Sequence, residues 1–299
     1  MTGLAARANF RQRALVGVQR VLPQHLLSRL VYIAARSTLG PWKNFLIRRF
    51  LKGFAVDMSE ARQSDPWAYP SFNAFFTRAL RPDARPIDTA EMAVISPVDG
   101  TVSAAGRIED QHLFQAKGRR YSLRSLLAGH QALVDPFRNG EFATIYLAPY
   151  NYHRIHMPLT GTLTATIHVP GTLFSVNAST ASQVPELFAR NERVICTFDT
   201  ACGRLAVILV GALFVGSMAT VWAGDITPAP RRRTTLLPAQ SSPVQLVRAA
   251  EMGRFNMGST VILLFERGHV RWLDSLRSGA TVRVGERIGE CLRHRDERA

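Results

Sequence analysis

The sequence has 299 residues, of which 46% are hydrophobic, enough for one large folded domain or two modest ones. This composition excludes a disordered tail. The 37 Lys and Arg residues outnumber the 22 Asp and Glu residues, so the formal net charge is +15. Such a charge predicts an anionic partner, which could be nucleic acid, an acidic lipid surface or a phosphate-bearing substrate.

The N-terminal part of the chain has the sharpest charge asymmetry, because its first 56 residues include ten Lys or Arg residues and no Asp or Glu. Apolar residues recur at helical spacing between Pro23 and Ser37. The same spacing returns after Pro41, at Trp42, Leu46, Phe50 and Phe54. We predict two amphipathic helices, which either pack on the domain with a solvated basic face or dock on anionic lipid. The two interpretations are compatible.

Targeting and redox signals indicate a cytosolic-side protein. Arginines at positions 7, 11, 13 and 20 interrupt the first apolar stretches, so we expect no secretory signal. The three cysteines, Cys196, Cys202 and Cys291, contain no Cys-x-x-Cys pair, and any disulfide scheme leaves one over. We therefore expect inert thiols in a reducing compartment.

From about residue 93 onward, short apolar runs alternate with Gly, Pro, Asn and Asp, as in a protein of many short strands. The predicted strands cover residues 93–96, 100–104, 143–148, 161–169, 193–197, 205–221, 261–265 and 281–289. We predict an α+β fold: a β-rich sandwich or barrel-sandwich-like catalytic domain at 91–299, preceded by a basic helical layer at 1–90.

One stretch, Leu205 to Gly224, contains twenty residues without a charge and is long enough to cross a bilayer as a helix. Three glycines interrupt it, and it is rich in valine. We therefore favour two buried strands joined by a turn.

Candidate catalytic residues lie in the β-rich region. Gly258 precedes Ser259 at the start of an apolar run, where a residue without a Cβ would let a nucleophile approach its carbonyl. Asp99 precedes Gly100 in a turn and could simply cap backbone N–H groups. His153 and His156 are three residues apart, which puts them on opposite faces if the chain is extended. No acidic or cysteine ligand stands nearby, so we expect acid–base work and no metal.

Six ordered blocks match a known family. They are Phe-Asn-x-Phe-Phe-Thr-Arg at 72–78, Ser-Pro-Val-Asp-Gly at 96–100, Tyr-His-Arg-Ile-His-Met-Pro at 152–158, Pro-Gly-x-Leu-Phe-Ser-Val-Asn at 170–177, Val-Gly-Ser-Met at 215–218 and Glu-Met-Gly-Arg-Phe-Asn-Met-Gly-Ser-Thr-Val at 251–261. On these blocks the sequence resembles the bacterial proenzymes of the phosphatidylserine decarboxylases, pyruvoyl-dependent enzymes that make phosphatidylethanolamine. Two departures, Ala249-Ala250 in place of Lys-Gly and His130 in place of Asp, are expected to lie away from the chemistry.

The resemblance implies that the chain cleaves itself. Ser259 would attack the carbonyl of Gly258 with His156 as the base, while Asp99 would orient His156. The products would be a β chain of residues 1–258 and an α chain of residues 259–299, whose first residue becomes a pyruvoyl group.

The resemblance also implies how the mature enzyme works. The pyruvoyl ketone would form a Schiff base with the substrate amine and accept the electrons released with CO2, and His153 would reprotonate the product. Phe174, Ser175 and Asn177 could line the substrate site, although a strand followed by a polar turn explains these residues equally well. The implied partner is phosphatidylserine in an anionic membrane, with the basic helices docked peripherally on the cytoplasmic face of the cell membrane. We expect no nucleic acid partner, and the α and β chains could assemble into a higher homo-oligomer.

Two other functions remain open on the residues alone. A serine hydrolase could use Asp99, His156 and Ser259 without cleaving itself, although the Gly-x-Ser-x-Gly elbow is absent from its Gly-Ser-Thr segment. A basic membrane- or nucleic-acid-binding module would explain the net charge and leave the His and Gly-Ser blocks unused.

Overall fold

The structure is a computed structural model, and it describes residues 16–292 except 116–118, 214–216, 229–232, 239 and 258. Its α-helices are α1 (Gln24–Arg36), α2 (Gly40–Gly53), α3 (Phe72–Phe76), α4 (Leu123–Leu126), α5 (Gln131–Val134), α6 (Ala178–Ala181) and α7 (Leu187–Arg190). Residues 16–21 are also helical, and two short 3-10 helices span Pro66–Ala68 and Asp135–Phe137. The two predicted amphipathic helices are confirmed as α1 and α2.

The N-terminal helices share a small aromatic core. α2 begins with Pro41 in its first turn, where the missing N–H would have no helical partner anyway. α3 begins after Ser71, whose hydroxyl accepts a hydrogen bond from the N–H of Ala74 at 3.1 Å. Phe50 of α2 then packs against the three phenylalanines of α3, with ring centroids 5.5 to 6.0 Å apart. The domain boundary at residue 90 remains a prediction.

The strands occupy most of the remaining chain. They are β1 (Ala93–Ile95), β2 (Gly100–Arg107), β3 (His112–Phe114), β4 (Arg120–Ser122), β5 (Glu141–Leu147), β6 (Arg154–His156), β7 (Gly161–Val169), β8 (Arg193–Thr200), β9 (Gly203–Val210), β10 (Met218–Thr220), β11 (Gly224–Asp225), β12 (Thr235–Leu236), β13 (Gln245–Leu246), β14 (Glu251–Phe255), β15 (Ser259–Phe265), β16 (Val270–Trp272), β17 (Thr281–Val282) and β18 (Arg287–Cys291).

A nine-stranded antiparallel sheet forms the centre of the protein, in the order β12-β7-β8-β9-β15-β5-β2-β17, with β13 also paired to β7. β15 lies between β9 and β5, and all of its residues are buried. Its apolar run, from Val261 to Phe265, is typical of a strand covered on both faces. The charge-free stretch from Leu205 contributes β9 and β10, so the prediction of strands is confirmed. Among the described residues, no helix is both long and apolar enough to cross a membrane.

Smaller sheets complete the architecture. β6 and β14 belong to a four-stranded sheet ordered β11-β10-β14-β6, whereas β1, β18 and β16 form a three-stranded sheet. β3 pairs with β4. In the part of the chain that is described, no sheet closes into a barrel, and the predicted α+β, sandwich-like fold class is confirmed.

One prediction about local structure is wrong. The single strand predicted at 281–289 is divided into β17 and β18, because Gly285 adopts a φ of +87° in the turn between them. The short helices α4 to α7 lie beyond residue 90, among the strands of the β-rich region. Each of these helices has four residues, too few to give a periodic sequence pattern.

The prediction of inert, unpaired thiols is also wrong. Cys202 and Cys291 form a disulfide with their Cα atoms 5.7 Å apart, at a sequence separation of 89. Cys202 lies in the turn between β8 and β9, and Cys291 ends β18. Their proximity arises from tertiary packing, which cysteine spacing does not reveal. Cys196 remains a free, buried thiol.

Candidate active site

Ser259 lies where the chain enters the central strand. It opens β15, pairs with Leu147 of β5, and is fully buried. Its hydroxyl oxygen has no hydrogen-bond partner in the described part of the chain. Gly258 lies outside the described residues, so the close approach expected at its carbonyl stays a prediction.

The chain before Ser259 is held on both sides. β14 lies between β10 and β6, and the N–H of Phe255 donates to the carbonyl of His153 at 3.0 Å. The N–H of Asn256 then donates to the Ser217 carbonyl at 2.9 Å, while Met257 packs against the aromatic core of the N-terminal helices. The histidine segment and the helical layer therefore both contact the residues that lead into Ser259.

His153 is a buried imidazole with one available nitrogen. Its Nδ1 lies 2.8 Å from the carbonyl oxygen of Asn151, which only accepts, so Nδ1 carries the proton. Nε2 has no hydrogen-bond partner in the described structure. The ring packs on Phe76 with centroids 4.2 Å apart. Burial lowers the pKa of His153 to about 3, so the ring is neutral at physiological pH and Nε2 holds a free lone pair.

His156 is also neutral, but both of its nitrogens are engaged. Nδ1 lies 2.7 Å from the carbonyl oxygen of Ala249, and Nε2 lies 3.1 Å from the hydroxyl of Tyr152. By the same reasoning Nδ1 carries the proton, and Nε2 accepts from Tyr152. Burial lowers the pKa of His156 below its ordinary value. Ala249, expected to lie away from the chemistry, contacts this histidine directly, so that prediction is wrong.

The two histidines have separate surroundings because the backbone is extended through β6. His153 faces the aromatic residues of α3, whereas His156 faces Tyr152 and the chain at Ala249. Within the described residues, no group of three or more His, Cys, Asp or Glu side chains could hold a metal ion.

Asp99 is bound by an arginine. Its carboxylate accepts hydrogen bonds from Nε and Nη2 of Arg85 and from the backbone N–H of Val284 at 2.9 Å. Arg85 Nη2 also donates to Glu60 at 2.8 Å. The pair of Arg85 and Asp99 is nearly buried. In it the guanidinium binds the carboxylate through two nitrogens, which is a strong form of charged hydrogen bonding.

Asp99 and His156 come from adjacent chain segments without a side-chain hydrogen bond between them. The backbone N–H of His156 donates to the carbonyl of Pro97 at 2.8 Å, which brings the Asp99 turn beside β6. The ring nitrogens of His156 are engaged elsewhere, so direct orientation of His156 by Asp99 stays a prediction. Gly100 lets the Asp99 turn approach β5 closely, because a Cβ at position 100 would lie 2.5 Å from the carbonyl oxygen of Tyr146.

The three expected substrate-site residues have different surroundings. Phe174 is buried and lines a cavity of about 540 Å³, whose basic lining residues are Arg20, His25 and Arg190. The backbone N–H of Ser175 donates to the Gln19 side chain at 2.8 Å. Asn177 is exposed, and its side chain accepts the N–H of Thr180 at 2.9 Å, which is a capping contact.

Sequence reasoning missed several residues around the histidines. Tyr152 stands four positions before His156 in the same block, and that block was the available signal. Arg78 ends the Phe-Asn-x-Phe-Phe-Thr-Arg block. Arg85, which binds Asp99, could not be identified from the sequence. It lies in a Pro-rich connection, and its carboxylate partners are distant in sequence.

The similarity to known proteins extends over nearly the whole chain. A family model described as phosphatidylserine decarboxylase matches residues 72–290, and a second model, described as PSD, matches residues 15–55. A relative from Bordetella avium is 51% identical over 279 residues, covering 93% of this chain and 95% of the relative. A relative from Azotobacter vinelandii is 54% identical over 276 residues, covering 91% and 96%. Both relatives bear the name phosphatidylserine decarboxylase proenzyme.

A third relative of the same name, from Ectopseudomonas mendocina, is 52% identical over 283 residues, which cover 94% of this chain and 99% of the relative. The family model thus spans the aromatic helix α3, the Asp99 turn, both histidines and Ser259. Together these similarities show that the chain belongs to the phosphatidylserine decarboxylase family.

Proposed function

We propose that this protein decarboxylates phosphatidylserine to phosphatidylethanolamine and CO2, using a pyruvoyl group made from its own Ser259. The names of its relatives support the substrate, and the word proenzyme in those names supports self-processing. The observation that carries the proposal is the Ser259 hydroxyl, which is buried and has no described partner at the start of the central strand.

Self-cleavage uses Ser259 as the nucleophile. Its Oγ bonds to the carbonyl carbon of Gly258, the peptide C–N bond breaks, and the hydroxyl proton passes through a base to the freed amine of Ser259. Removal of the Ser259 Cα proton then expels the Gly258 carboxylate. Water hydrolyses the resulting dehydroalanine to a ketone and ammonia, which leaves a pyruvoyl group at the start of the α chain.

The base in this step is His156. Its pKa is lowered by burial, so it is neutral and retains a lone pair on Nε2. The hydroxyl of Tyr152 donates a hydrogen bond to this Nε2, so His156 acts as a base once that hydrogen bond breaks. Asp99 acts on His156 through its charge and through the Pro97 backbone contact.

The residues around Ser259 fit a pyruvoyl group. The backbone carbonyl of His153 accepts a hydrogen bond from Phe255, four positions before Ser259, and Nε2 of the same histidine has no hydrogen-bond partner in the described structure. The ketone supplies an electron sink once it is covalently joined to the substrate amine. His153 Nε2 takes a proton from the incoming ammonium group and returns it to the substrate carbon after CO2 leaves. The lone pair on Nε2 is open to receive that proton. Burial lowers the pKa of His153, which makes the protonated ring a strong acid and favours return of the proton to carbon.

The N-terminal helices dock the enzyme on an anionic membrane surface. Large apolar side chains are exposed along residues 18–54, namely Val18, Val21, Leu26, Leu30, Ile33, Leu39, Trp42, Phe45 and Phe54. They share this segment with the basic residues that give the chain its charge asymmetry. Apolar insertion combined with attraction to acidic lipid is the usual basis of interfacial binding. We place the protein peripherally on the cytoplasmic face of the cell membrane.

The cavity beside Phe174 opens next to this membrane-facing segment, since Leu26 lines it and is also exposed. The side-chain amide Nδ2 of Asn191 donates hydrogen bonds to the carbonyl oxygens of Phe174 and Gly211, at 2.8 and 2.9 Å. Gly211 directly follows Val210, which pairs with Thr260. This chain of contacts supports a role for Phe174 in substrate access to Ser259.

The decisive experiment is an intact-mass spectrum of the purified protein under denaturing, reducing conditions, followed by a phosphatidylserine decarboxylation assay. We expect a β chain of residues 1–258 and an α chain of residues 259–299 whose first residue carries a ketone. An unsplit, unmodified chain with no CO2 release would reject the proposal and direct attention to an Asp/His/Ser hydrolase. Salt-dependent DNA binding without lipid activity would support the binding module instead.

A further inference from the structure

Arg78 is a buried arginine whose guanidinium is only partly engaged. It follows α3, and 4% of the residue is exposed. Its Nη2 donates a long hydrogen bond of 3.4 Å to the carbonyl oxygen of Tyr150. Nε and Nη1 have no hydrogen-bond partner within the described structure. Buried charges are normally paired, so two unengaged N–H groups on a buried cation point to an anion.

The carboxylates whose charges act on Arg78, Asp99 and Glu60, are already paired with other arginines. Arg85 binds the carboxylates of both Asp99 and Glu60, and Arg283 Nη1 lies 3.5 Å from Glu60 Oε1. Neither carboxylate makes a hydrogen bond or ion pair with Arg78 in the described structure. Burial lowers the pKa of Arg78, and the more distant charges of Asp99 and Glu60 oppose this without neutralising it.

Arg78 is also beside the catalytic histidine. Tyr150, which it contacts, stands three residues before His153 in the chain. The guanidinium lies 5.9 Å from the ring of Phe75, and the imidazole of His153 lies 4.2 Å from the ring of Phe76. Burial is the main cause of the low pKa of His153, and the charge of Arg78 lowers it further. Arg78 and His153 thus each lie against one of two adjacent phenylalanines.

We propose that Arg78 binds an oxyanion of the substrate head group beside His153. This identification of the ligand rests on the proposed function. In a phosphoserine head group, the phosphate and the carboxylate are both within a few bonds of the carbon that loses CO2. An arginine beside His153 reaches either one, and its planar N–H groups match an oxyanion through two hydrogen bonds. Arg78 is therefore a binding residue that recognises the head group.

A ligand-binding experiment tests this without relying on turnover. Thermal unfolding of the purified protein is followed with O-phospho-L-serine, O-phosphoethanolamine or L-serine, at constant ionic strength. Stabilisation by both phosphate compounds identifies the phosphate as the ligand, whereas stabilisation by O-phosphoserine and L-serine identifies the carboxylate. The Arg78→Gln variant should lose the stabilisation. Arg81→Gln is the matched control, because Arg81 is exposed and three positions away.

Kinetics provides the second readout. In Arg78→Gln we expect the KM for phosphatidylserine to rise roughly 10- to 100-fold, as for loss of a charged hydrogen bond, with complete self-cleavage. Arg78→Lys should recover part of the affinity, because it keeps the charge but not the planar fork. Equal stabilisation of the wild type and Arg78→Gln by every compound would overturn the inference. The mass spectrum of the same samples reports separately on the proposed function.

A second inference depends on a different observation, the position of the disulfide. Cys202 precedes the proposed cleavage position between 258 and 259, and Cys291 follows it. We infer that the Cys202–Cys291 bond joins the β and α chains covalently after cleavage. Cleavage breaks only the acyl–nitrogen bond at Ser259. Formation of the S–S bond transfers two electrons from the thiols to a disulfide oxidant by thiol–disulfide exchange.

The surroundings of the bond favour its persistence. Cys202 is 5% exposed and Cys291 is 6% exposed, so a reducing thiol has little access to either sulfur. Cys291 also lies opposite Val270 of β16, within the α chain. The disulfide therefore connects the C-terminal strands to the β8–β9 turn of the other chain.

The test traps thiols with an alkylating reagent during cell lysis and compares denatured masses with and without reductant. We expect one disulfide-linked species that separates into two chains on reduction. Cys202→Ser should separate without reductant, and Cys196→Ser, the buried free thiol, should behave as the wild type. Two separate wild-type chains before reduction would overturn the inference. A single chain that reduction does not divide would instead count against self-cleavage.

Discussion

The imidazole of His156 donates from Nδ1 to the carbonyl oxygen of Ala249 at 2.7 Å, which leaves Nε2 as its only basic nitrogen. Ala249 makes this contact from a left-handed backbone conformation with φ +67°. The tautomer of the proposed base is thus set by a backbone atom and not by Asp99. The hydroxyl of Tyr152 is the group that competes for Nε2.

Removing the Tyr152 hydroxyl tests that competition. We expect Tyr152→Phe to cleave itself at the wild-type rate or faster, because Nε2 of His156 is then free. His156→Ala should leave the full-length chain. The measurement is a time course of chain separation on denaturing, reducing gels after synthesis in a cell-free system. A stalled Tyr152→Phe chain would show that the tyrosine itself relays the proton from Ser259.

Replacing Asp99 tests whether its charge is needed for processing and for stability. Asp99→Asn should remain mostly uncleaved, and its free energy of unfolding should fall by about 3 kcal/mol, because Arg85 loses a nearly buried partner. Urea denaturation checks the second effect. Glu60→Gln is a control with a smaller expected loss, since Glu60 is more exposed than Asp99. Complete cleavage of Asp99→Asn would remove Asp99 from the self-cleavage step.

His153→Ala separates the two reactions. Because Nε2 of His153 is proposed to move a proton during decarboxylation, this variant should cleave itself and then lose roughly 100- to 10,000-fold in kcat. Intact mass shows the cleavage, and CO2 release from phosphatidylserine vesicles shows the turnover. Failure of His153→Ala to cleave, in a folded protein, would assign this histidine to processing instead.

The pH dependence of stability reports the burial of His153. Its pKa is about 3 in the folded protein, against an ordinary value of 6.5, so the unfolded chain binds one more proton between these values. The free energy of unfolding should therefore fall as the pH drops below about 6.5, with about 1.4 kcal/mol per pH unit from this residue. Urea titrations should show a shallower slope for His153→Gln. An unchanged slope would mean that His153 is protonated in the folded state.

Membrane docking depends on specific apolar side chains. Replacing Trp42 and Phe45 with Ser should weaken sedimentation with vesicles that contain acidic lipid, roughly tenfold or more, because both rings are exposed on α2. Added salt should weaken binding of the wild type as well. Leu236→Ser is the control, since Leu236 is exposed in β12, outside the helical layer. Equal binding by all variants would rule out insertion by α2.

The sequence was most informative where a pattern repeats along the chain. Helical spacing predicted α1 and α2, and the apolar runs predicted β7 and β15, because these elements bury a regular face. The six motif blocks also named both histidines and Ser259. Short elements such as α4 carry too few residues to show a period.

The sequence alone did not predict contacts between residues that are distant along the chain. Cys202 meets Cys291 only after the β8–β9 turn and β18 have packed, and Arg85 meets Glu60 through folding of the connection between them. Ala249 contacts His156 through a backbone carbonyl, which every residue type possesses. Such a contact leaves no compositional signal.

The position of Ser259 at the start of β15 has a consequence for the lifetime of the enzyme. A pyruvoyl group made from Ser259, as proposed, would stay covalently attached to the first residue of a strand that pairs with both β5 and β9. Each molecule would then keep the one prosthetic group it makes, and could not exchange it for a fresh copy as an enzyme with a dissociable cofactor does. Chemical damage to that group would end the working life of the molecule, and only synthesis of a new polypeptide would restore activity.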